Sequence, residues 1–268
     1  MLFLVATPIG NLADITLRAL ETLKSVDYIL CEDTRKSQIL CKKHSIETQL
    51  KSFHKFSEKK LEDTVIRDLR AGKHVALISD AGTPGINDPG QKLVCRCREE
   101  GLEVTSLPGA SAPIVALTLA GFPFERFQFV GFLPKKANPR KEVLIDAFFY
   151  PGVTVCFESP KRIHKTLEEI AKWSPEQEVA VVREMTKLYE ECLRGKAKEL
   201  LSSEIRGEVV LIIEGHKKWE VKLSPKEHVA KLQKEYDLSK QEAIKLAAHL
   251  RGESKKEVYD CLISDEAL

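Results

Sequence analysis

The sequence predicts an α/β protein with two α/β lobes, a cleft between them and a small helical module at its carboxyl end. Short apolar runs alternate with amphipathic helical patterns in each half of the chain, which favours parallel-rich α/β domains. Several of these runs end in loops rich in glycine, proline or charged residues, and open α/β sheets bind ligands at such strand ends. The 268 residues are 43% hydrophobic and 31% charged, a balance typical of globular proteins.

The first half of the chain contains six predicted strands. They lie at residues 3–6, 26–31, 48–54, 75–78, 102–107 and 127–132. Helical patterns separate most of them: Asp14 is placed to cap the first helix, and Ser57 caps a later one that Gly72 ends. A polar connection follows the sixth strand, so the first domain is predicted to be residues 1–133.

The second half repeats the alternation over residues 134–223, the predicted second domain. Strands are predicted at 153–157, 178–183 and 207–215, and a short helix at 195–201. From Ser224 the pattern changes to three short helices, at 225–236, 239–250 and 254–262, which form a predicted module at 224–268 that resembles a helix-turn-helix unit. Its eight Lys/Arg and nine Asp/Glu give a net charge of −1, so docking onto a partner chain is as well supported as a modest RNA contact.

Composition excludes several function classes. A formal charge of +2 is not that of a strongly basic nucleic-acid binder, although it allows a local basic surface. The seven cysteines include no Cys-x-x-Cys pair and the seven histidines no His-x-x-x-His pair, so we expect reduced thiols in a cytoplasmic protein and no metal centre. The sequence has no P-loop, dinucleotide fingerprint or nucleophile elbow, and no apolar run approaches the roughly 20 residues of a membrane span.

The loop at residues 79–90 is the strongest candidate for a ligand site. Three glycines and two prolines follow a buried apolar strand, a composition that favours a rigid turn with close backbone approach to a ligand. The alternative is an ordinary strand-to-helix turn, in which Asp88 is the N-cap and Pro89 the first helical residue. Ordinary connections of this kind span roughly 2–6 residues, so the alternative explains the loop poorly.

Three other segments are candidates with open alternatives. Glu32, Asp33 and Arg35 follow the second strand, and a functional site and a solvated helix start are equally consistent with them. Small residues at 108–112 allow close packing against another helix, the simpler interpretation, or against a flat ligand. Residues 134–165 carry seven Lys/Arg and three Asp/Glu, a net charge of +4, which suits phosphate contacts or a solvated helix face.

Taken in order, the strand-end loops resemble those of a known family. The similarity lies in TPIGNLADIT at 7–16, EDTR at 32–35, SDAGTP at 79–84 with DPG at 88–90, PGASA at 108–112, GFLP at 131–134, FESP at 157–160 and REMTK at 183–187. These motifs resemble the bacterial 16S rRNA cytidine 2′-O-methyltransferases of the tetrapyrrole methylase superfamily, and the helical tail is similar too. The resemblance implies two lobes of the tetrapyrrole methylase type, with the methyl donor S-adenosylmethionine bound in the cleft between them. It also implies a homodimer that acts on 16S rRNA in the small ribosomal subunit, at the cytidine at position 1402.

The resemblance assigns donor contacts to both lobes. They are Pro8, Asp80, Ala81, Gly82, Thr83, Ile86, Ser111 and Ala112 in the first, and Phe157, Glu158, Arg183, Glu208 and Val209 in the second. In the implied reaction a ribose 2′-hydroxyl attacks the donor methyl group, with Asp33 and Asp88 as candidate general bases and Arg35 as a candidate for orienting the nucleotide. The residues expected to contact RNA phosphates are Lys135, Lys136, Arg140, Lys161 and Arg162.

The chain departs from the family pattern in two places. Phe56 and Ser57 follow His54 where the family often has a histidine and an asparagine, and Lys161 stands where a histidine is common. Three other functions are open: methylation of a tetrapyrrole precursor, methylation of a protein side chain as in diphthine synthesis, and RNA binding without catalysis. Binding of S-adenosylmethionine would separate the last of these from the others.

Overall fold

The computed structural model describes residues 1–53, 58–215 and 223–264, and these contain two five-stranded sheets. His54, Phe56 and Ser57, and with them the predicted helix cap, lie outside the described residues. None of the described helices is long and apolar enough to cross a membrane. The two sheets, each with its own helices, confirm the predicted α/β architecture.

The first sheet is parallel throughout. Its strands are β1 (Leu2–Val5), β2 (Tyr28–Cys31), β3 (Leu50–Ser52), β4 (Val75–Ile78) and β5 (Val104–Leu107), in the order β3-β2-β4-β1-β5. The connecting helices are α1 (Leu17–Ser25), α2 (Thr34–Lys43), α3 (Glu58–Arg70) and α4 (Gln91–Glu99). Because the strands are parallel, the loops that follow β1, β2, β4 and β5 meet at one edge, and the first four motifs lie in those loops.

The second sheet is mixed. Its strands are β6 (Phe127–Phe132), β7 (Val153–Glu158), β8 (Glu178–Arg183), β9 (Glu191–Lys196) and β10 (Val209–Glu214), in the order β6-β7-β10-β8-β9. Only β6 and β7 pair in parallel. Helices α6 (Ala137–Phe149) and α7 (Ile163–Trp173) connect β6 to β7 and β7 to β8, whereas α5 (Ala112–Ala120) follows β5 in the chain. Ala116 and Leu117 of α5 pack in one apolar cluster with Val155 and Ile212, so this helix joins the two sheets.

Two details differ from the sequence predictions. The strand at 127–132 pairs with β7 in the second sheet, so a boundary drawn by sheet membership falls before Phe127 rather than after residue 133. The short helix predicted at 195–201 is instead the end of edge strand β9 followed by a 3₁₀ turn at Leu200–Ser202. The polar sequence of β9 gives no strand signal, and its six pairs with β8 define it. The division into three domains stays a prediction.

The carboxyl-terminal helices are α8 (Pro225–Tyr236), α9 (Lys240–Arg251) and α10 (Lys255–Ser264), close to their predicted positions. The first two begin at capping boxes, in which Ser224 pairs with Glu227 and Ser239 with Glu242. Apolar residues of all three helices belong to the same buried cluster as α6, α7 and one face of the second sheet. The helical module is therefore packed onto the second lobe and shares its core.

Because His228 on α8 is buried, we expect the stability of the folded protein to depend on pH. Burial, reinforced by the charges of Arg251 and Lys231, lowers the pKa of this imidazole from 6.5 to about 4. Stability from this group is fully present above pH 6.5 and is lost as pH falls towards 4, because the unfolded chain binds a proton that the folded chain excludes. We expect urea unfolding to show a loss of roughly 2 kcal/mol between about pH 7.5 and pH 5. His228→Leu should lack this component, and an equal pH dependence in that variant would contradict the assignment.

Candidate active site

A cavity of about 530 Å³ lies between the two sheets, where the loops of the first sheet meet the second. The first lobe and the start of α5 line it with Ile9, Glu32, Lys36, Asp80, Ala81, Gly82, Thr83, Ile86, Asn87, Asp88, Ser111, Ala112 and Pro113. The second lobe lines it with Phe132, Phe157, Glu158, Ser159, Pro160, Met185, Glu208, Val209 and Val210. Small-molecule sites span roughly 300–1,000 Å³, so this cavity can hold such a ligand.

Most of the residues predicted for the donor site lie in this lining. Eleven of the thirteen are present, all except Pro8 and Arg183, and Asp88 is present as well. Asp33, Arg35 and the five predicted RNA-contact residues are not part of it. Lys36 and Phe132 are among the lining residues for which no site role was predicted. Contacts between these residues and a donor stay predictions.

The loop after β4 is tied to the ends of two other strands. Thr7 and Gly82 exchange two backbone hydrogen bonds, of 2.9 and 3.0 Å, and the Ser79 hydroxyl donates to the Gly82 carbonyl at 2.8 Å. The Thr83 hydroxyl donates to the carbonyl of Ala110, after β5, at 3.1 Å. Gly82 adopts a φ of +80°, which favours glycine. These ties fix the loop as a rigid wall of the cavity.

Asp80 joins this loop to the start of α2. One carboxylate oxygen accepts from the backbone N–H of Asp33 at 3.1 Å, and the other accepts from Lys36 Nζ at 2.8 Å. The hydrogen bond to Asp80, and then its charge, raises the pKa of Lys36, so this ammonium group stays protonated. Lys36 lies one residue beyond the EDTR motif. The signal that could have identified it is its place in the first turn of the helix that follows a strand-end motif.

The geometry agrees with a match to known proteins. The family described as Tetrapyrrole (Corrin/Porphyrin) Methylases matches residues 1–201. The chain belongs to the tetrapyrrole methylase family. This confirms the resemblance and the predicted fold, and it makes the protein a member of a family of methyltransferases.

This methylase is also similar to individual proteins over most of its length. A Halalkalibacterium halodurans protein named ribosomal RNA small subunit methyltransferase I is 40% identical over 270 residues, 97% of this chain and 93% of the relative. A Thermotoga maritima protein of the same name is 44% identical over 218 residues, 80% of this chain and 98% of that relative. Among solved structures, the cobalamin biosynthetic enzyme cobalt precorrin-4 methyltransferase, CbiF, aligns with a TM-score of 0.62 and 21% identity, over 80% of this chain and 94% of that one.

In this methylase Asp33 and Arg35 form a helix start outside the cavity lining. Asp33 is the N-cap of α2: its carboxylate accepts from the backbone N–H of Arg35 at 2.9 Å and from its guanidinium at 3.2 and 3.3 Å. Hydrogen bonds from Arg35 lower the pKa of Asp33, which makes this carboxylate a weaker base. The Arg35 side chain is 90% exposed. Asp33 and Arg35 therefore have the geometry of a helix start, whereas Glu32 of the same segment lines the cavity, and Asp33 reaches the site through Asp80.

Asp88 does not have the role that the alternative interpretation of this loop gives it. Helix α4 begins at Gln91 with Gly90 as its N-cap, so the alternative in which Asp88 is the N-cap is wrong. Gly90 can end the loop because it adopts a φ of +118°, which a residue with a β-carbon rarely does. Asp88 lies in the cavity lining instead. It is therefore the predicted base that the cavity favours.

Glu158, at the end of β7, is a buried carboxylate whose oxygens are occupied. They accept from Arg162 Nη2 at 2.5 Å, from the Ser159 N–H at 2.6 Å and from the Thr166 hydroxyl at 2.8 Å. Arg162 also donates to the Leu133 carbonyl at 3.2 Å. This network holds the loop after β7 against the loop after β6, so its role is to position the second-lobe wall of the cavity.

Arg140 is buried, which corrects its prediction as an RNA contact. Its guanidinium binds the Glu169 carboxylate at 2.5 and 2.7 Å and donates to the carbonyls of Pro134 and Lys135. Only 2% of the residue is exposed, whereas Lys135 is exposed at the surface. The charged run alone could not show that Arg140 is buried. Its carboxylate partner, Glu169, lies on another helix and is distant in the sequence.

Replacement of Arg140 by alanine is expected to lower the free energy of unfolding by roughly 3–5 kcal/mol, because it leaves the Glu169 carboxylate without its cation. RNA affinity of the folded variant should stay unchanged. Lys135→Ala, the matched control, should keep its stability and lose RNA affinity. Urea unfolding and filter binding measure the two properties. The opposite pattern in the two variants would restore Arg140 as a phosphate contact.

The loop after β8 docks onto the loop after β1. The Asn11 N–H donates to the Thr186 hydroxyl at 2.9 Å, and Met185 is buried in the same cluster as Ile9. Glu184 and Thr186 adopt φ values of +49° and +63°, an unfavourable region for both residues. Such strain persists only where the surroundings impose it. Met185 and Ile9 both line the cavity, so this contact sets its width.

Proposed function

We propose that this methylase transfers a methyl group from S-adenosylmethionine to 16S rRNA of the small ribosomal subunit, at the ribose 2′-hydroxyl of a cytidine. The cavity carries the proposal, because it joins a rigid glycine loop to carboxylates from both lobes. The RNA substrate is taken from the names of relatives that match nearly the whole chain. The cytidine and its 2′-hydroxyl are taken from the motifs that resemble that group of methyltransferases.

The cavity fits S-adenosylmethionine in size and charge. The described lining residues include five carboxylates and one lysine, namely Glu32, Asp80, Asp88, Glu158, Glu208 and Lys36. When bound, the donor supplies an electrophilic methyl group on a positively charged sulfur. The excess of carboxylates favours such a cation, although Asp80, Glu158 and Glu208 already pair with Lys36, Arg162 and Lys187. Thr83 and Ser111 offer hydroxyl groups, and the backbone of Ala81 and Gly82 offers N–H and C=O groups, for its ribose and methionine.

The chain contributes to the transfer mainly by positioning the acceptor. The donor is already activated, so most of the rate comes from holding the 2′-oxygen in line with the methyl group. Asp88 would accept the proton that the 2′-hydroxyl releases when its oxygen takes up the methyl group. Lys36 stays protonated beside Asp80 and offsets negative charge that develops on the oxygen. The exposed Arg35 contacts the nucleotide from outside the cavity.

The RNA backbone is proposed to contact the exposed lysines at the end of the second lobe. Lys135, Lys136 and Lys161 are exposed, and the Arg162 guanidinium is bonded to the Glu158 carboxylate and the Leu133 carbonyl. Phosphate contacts of this kind give an affinity that falls steeply with salt. A homodimer, taken from the resemblance, and a cytoplasmic location, taken from the cysteine pattern, also remain proposals.

Transfer of labelled methyl groups from S-adenosylmethionine to small ribosomal subunits that lack the modification tests the proposal. We expect label in 16S rRNA, and nuclease mapping should place it on a 2′-oxygen of a decoding-region cytidine. Donor binding by calorimetry without label in the RNA would overturn the RNA proposal. It would favour a tetrapyrrole precursor as acceptor, the substrate class of the family description. No donor binding would overturn the enzymatic proposal.

A further inference from the structure

Phe132 is an exposed aromatic side chain in the wall of the cavity. It is 61% exposed, more than any other described phenylalanine, and no donor contact was predicted for it. It is the last residue of β6, just after a register irregularity between Phe129 and Phe132. Gly131 adopts a φ of +70° within this bulge. Bulges next to active sites re-aim a side chain, and this one directs Phe132 to the cavity.

The ring of Phe132 is supported from within the second lobe. Its centroid lies 5.1 Å from that of Phe157 at an interplanar angle of 55°, and Phe157 contacts Phe129 edge-to-face at 5.0 Å. Asn87 of the first lobe packs so closely against Gly131 that an added β-carbon would lie 2.7 Å from its side-chain oxygen. The ring therefore packs against Phe157 of its own lobe, and the first lobe contacts the backbone beside it, although exposure of an apolar ring to water is unfavourable.

The surface beside Phe132 is basic. The Arg162 guanidinium bonds to the carbonyl of Leu133, which directly follows Phe132, so the loops after β6 and β7 lie side by side. Exposed Lys135 and Lys136 belong to the first of these loops and exposed Lys161 to the second. An aromatic ring flanked by cations is the arrangement that binds unpaired nucleotides, because the ring stacks a base while the cations hold phosphates.

We propose that Phe132, backed by Phe157, stacks the unpaired base of the acceptor nucleotide, so that the substrate is a single-stranded RNA segment with one base turned out of its stack. The inference rests on the proposed function. It assigns Phe132 a positioning role: the stacked base places its own ribose in the cavity, near Asp88 and Lys36. The neighbouring lysines hold the phosphates on either side.

Phe132→Leu tests the inference, because leucine keeps an apolar side chain but removes the aromatic face. We expect KM for small ribosomal subunits to rise on the order of tenfold or more, whereas the Kd for S-adenosylmethionine and the Tm stay unchanged. Phe132→Tyr and Phe132→Trp should restore KM. Phe127→Leu is the matched control, since Phe127 lies on the same strand, is 41% exposed and does not line the cavity.

The outcomes separate this inference from the proposed function. If the unmodified enzyme labels 16S rRNA but Phe132→Leu keeps the original KM, the stacking inference alone is overturned. A loss of donor affinity as large as the rise in KM would overturn it too, because the ring would then contact the donor. If the unmodified enzyme leaves 16S rRNA unlabelled, the proposed function fails and the inference fails with it.

Discussion

Replacement of Asp88 by asparagine is expected to lower the rate of methyl transfer about 10²–10⁴-fold, with donor affinity changed by less than about threefold. Asparagine preserves the shape of the side chain and removes its capacity to accept a proton. Asp88 lines the cavity and does not cap α4, so the substitution leaves that helix start intact. Single-turnover transfer at saturating donor and ribosomal subunits measures the chemical step, and calorimetry measures donor binding.

Asp33→Asn is the matched control for this prediction. Asparagine caps helices as well as aspartate, so α2 should start normally. Asp33 already binds Arg35 and lies outside the cavity lining, so we expect its loss of charge to reduce turnover less than about tenfold. Full activity in Asp88→Asn together with a large loss in Asp33→Asn would exchange the two assignments. If both variants kept full activity, neither carboxylate would be the general base. The chain would then contribute to the rate only by positioning the acceptor.

The sequence predicted the first sheet well, because its central strands are short, apolar and separated by helical patterns. A parallel sheet also fixes which loop ends meet, so the motifs at strand ends could be grouped before any contact was known. The strand β6 was harder to assign, since its alternation fits an edge of either sheet. Its pairing with β7 depends on contacts between residues distant in sequence, which no local pattern records.

The candidate site was predictable to a similar extent. Glycine and proline marked the loop after β4, whereas the local signals at Lys36 and Phe132 are weaker, since Lys36 lies one residue beyond the EDTR motif and Phe132 is an apolar residue within GFLP. Lys36 becomes informative only through its ion pair with Asp80, which lies on a different loop. Arg140 shows the opposite case. It belongs to a basic run that predicted a surface contact, but it is buried in an ion pair with Glu169 on α7. Sequence patterns identify the loops that meet, but the choice of partner within them is made by tertiary packing.

Replacement of Gly10 by alanine is expected to lower kcat/KM about 100-fold, because it acts on the contact that sets the width of the cavity. A β-carbon at Gly10 would lie 2.6 Å from the Thr186 hydroxyl oxygen and 2.7 Å from the Met185 carbonyl oxygen. The second of these is a backbone atom, so the loops after β1 and β8 have to move apart. Ile9 and Met185 would move with them, and both line the cavity. Steady-state methyl transfer and donor calorimetry should both report the loss.

Gly101→Ala distinguishes this effect from the general cost of replacing a glycine. Gly101 adopts a φ of +68° beyond α4, and an added β-carbon there meets no atom of the described residues within 4 Å. Alanine in that region costs roughly 1–2 kcal/mol of stability, with no route to the cavity. Both variants should therefore unfold at a lower temperature than the unmodified protein, and below both transitions only Gly10→Ala should lose turnover. If Gly10→Ala kept its turnover there, the contact between the two loops would be structural, and the width of the cavity would be set by other residues.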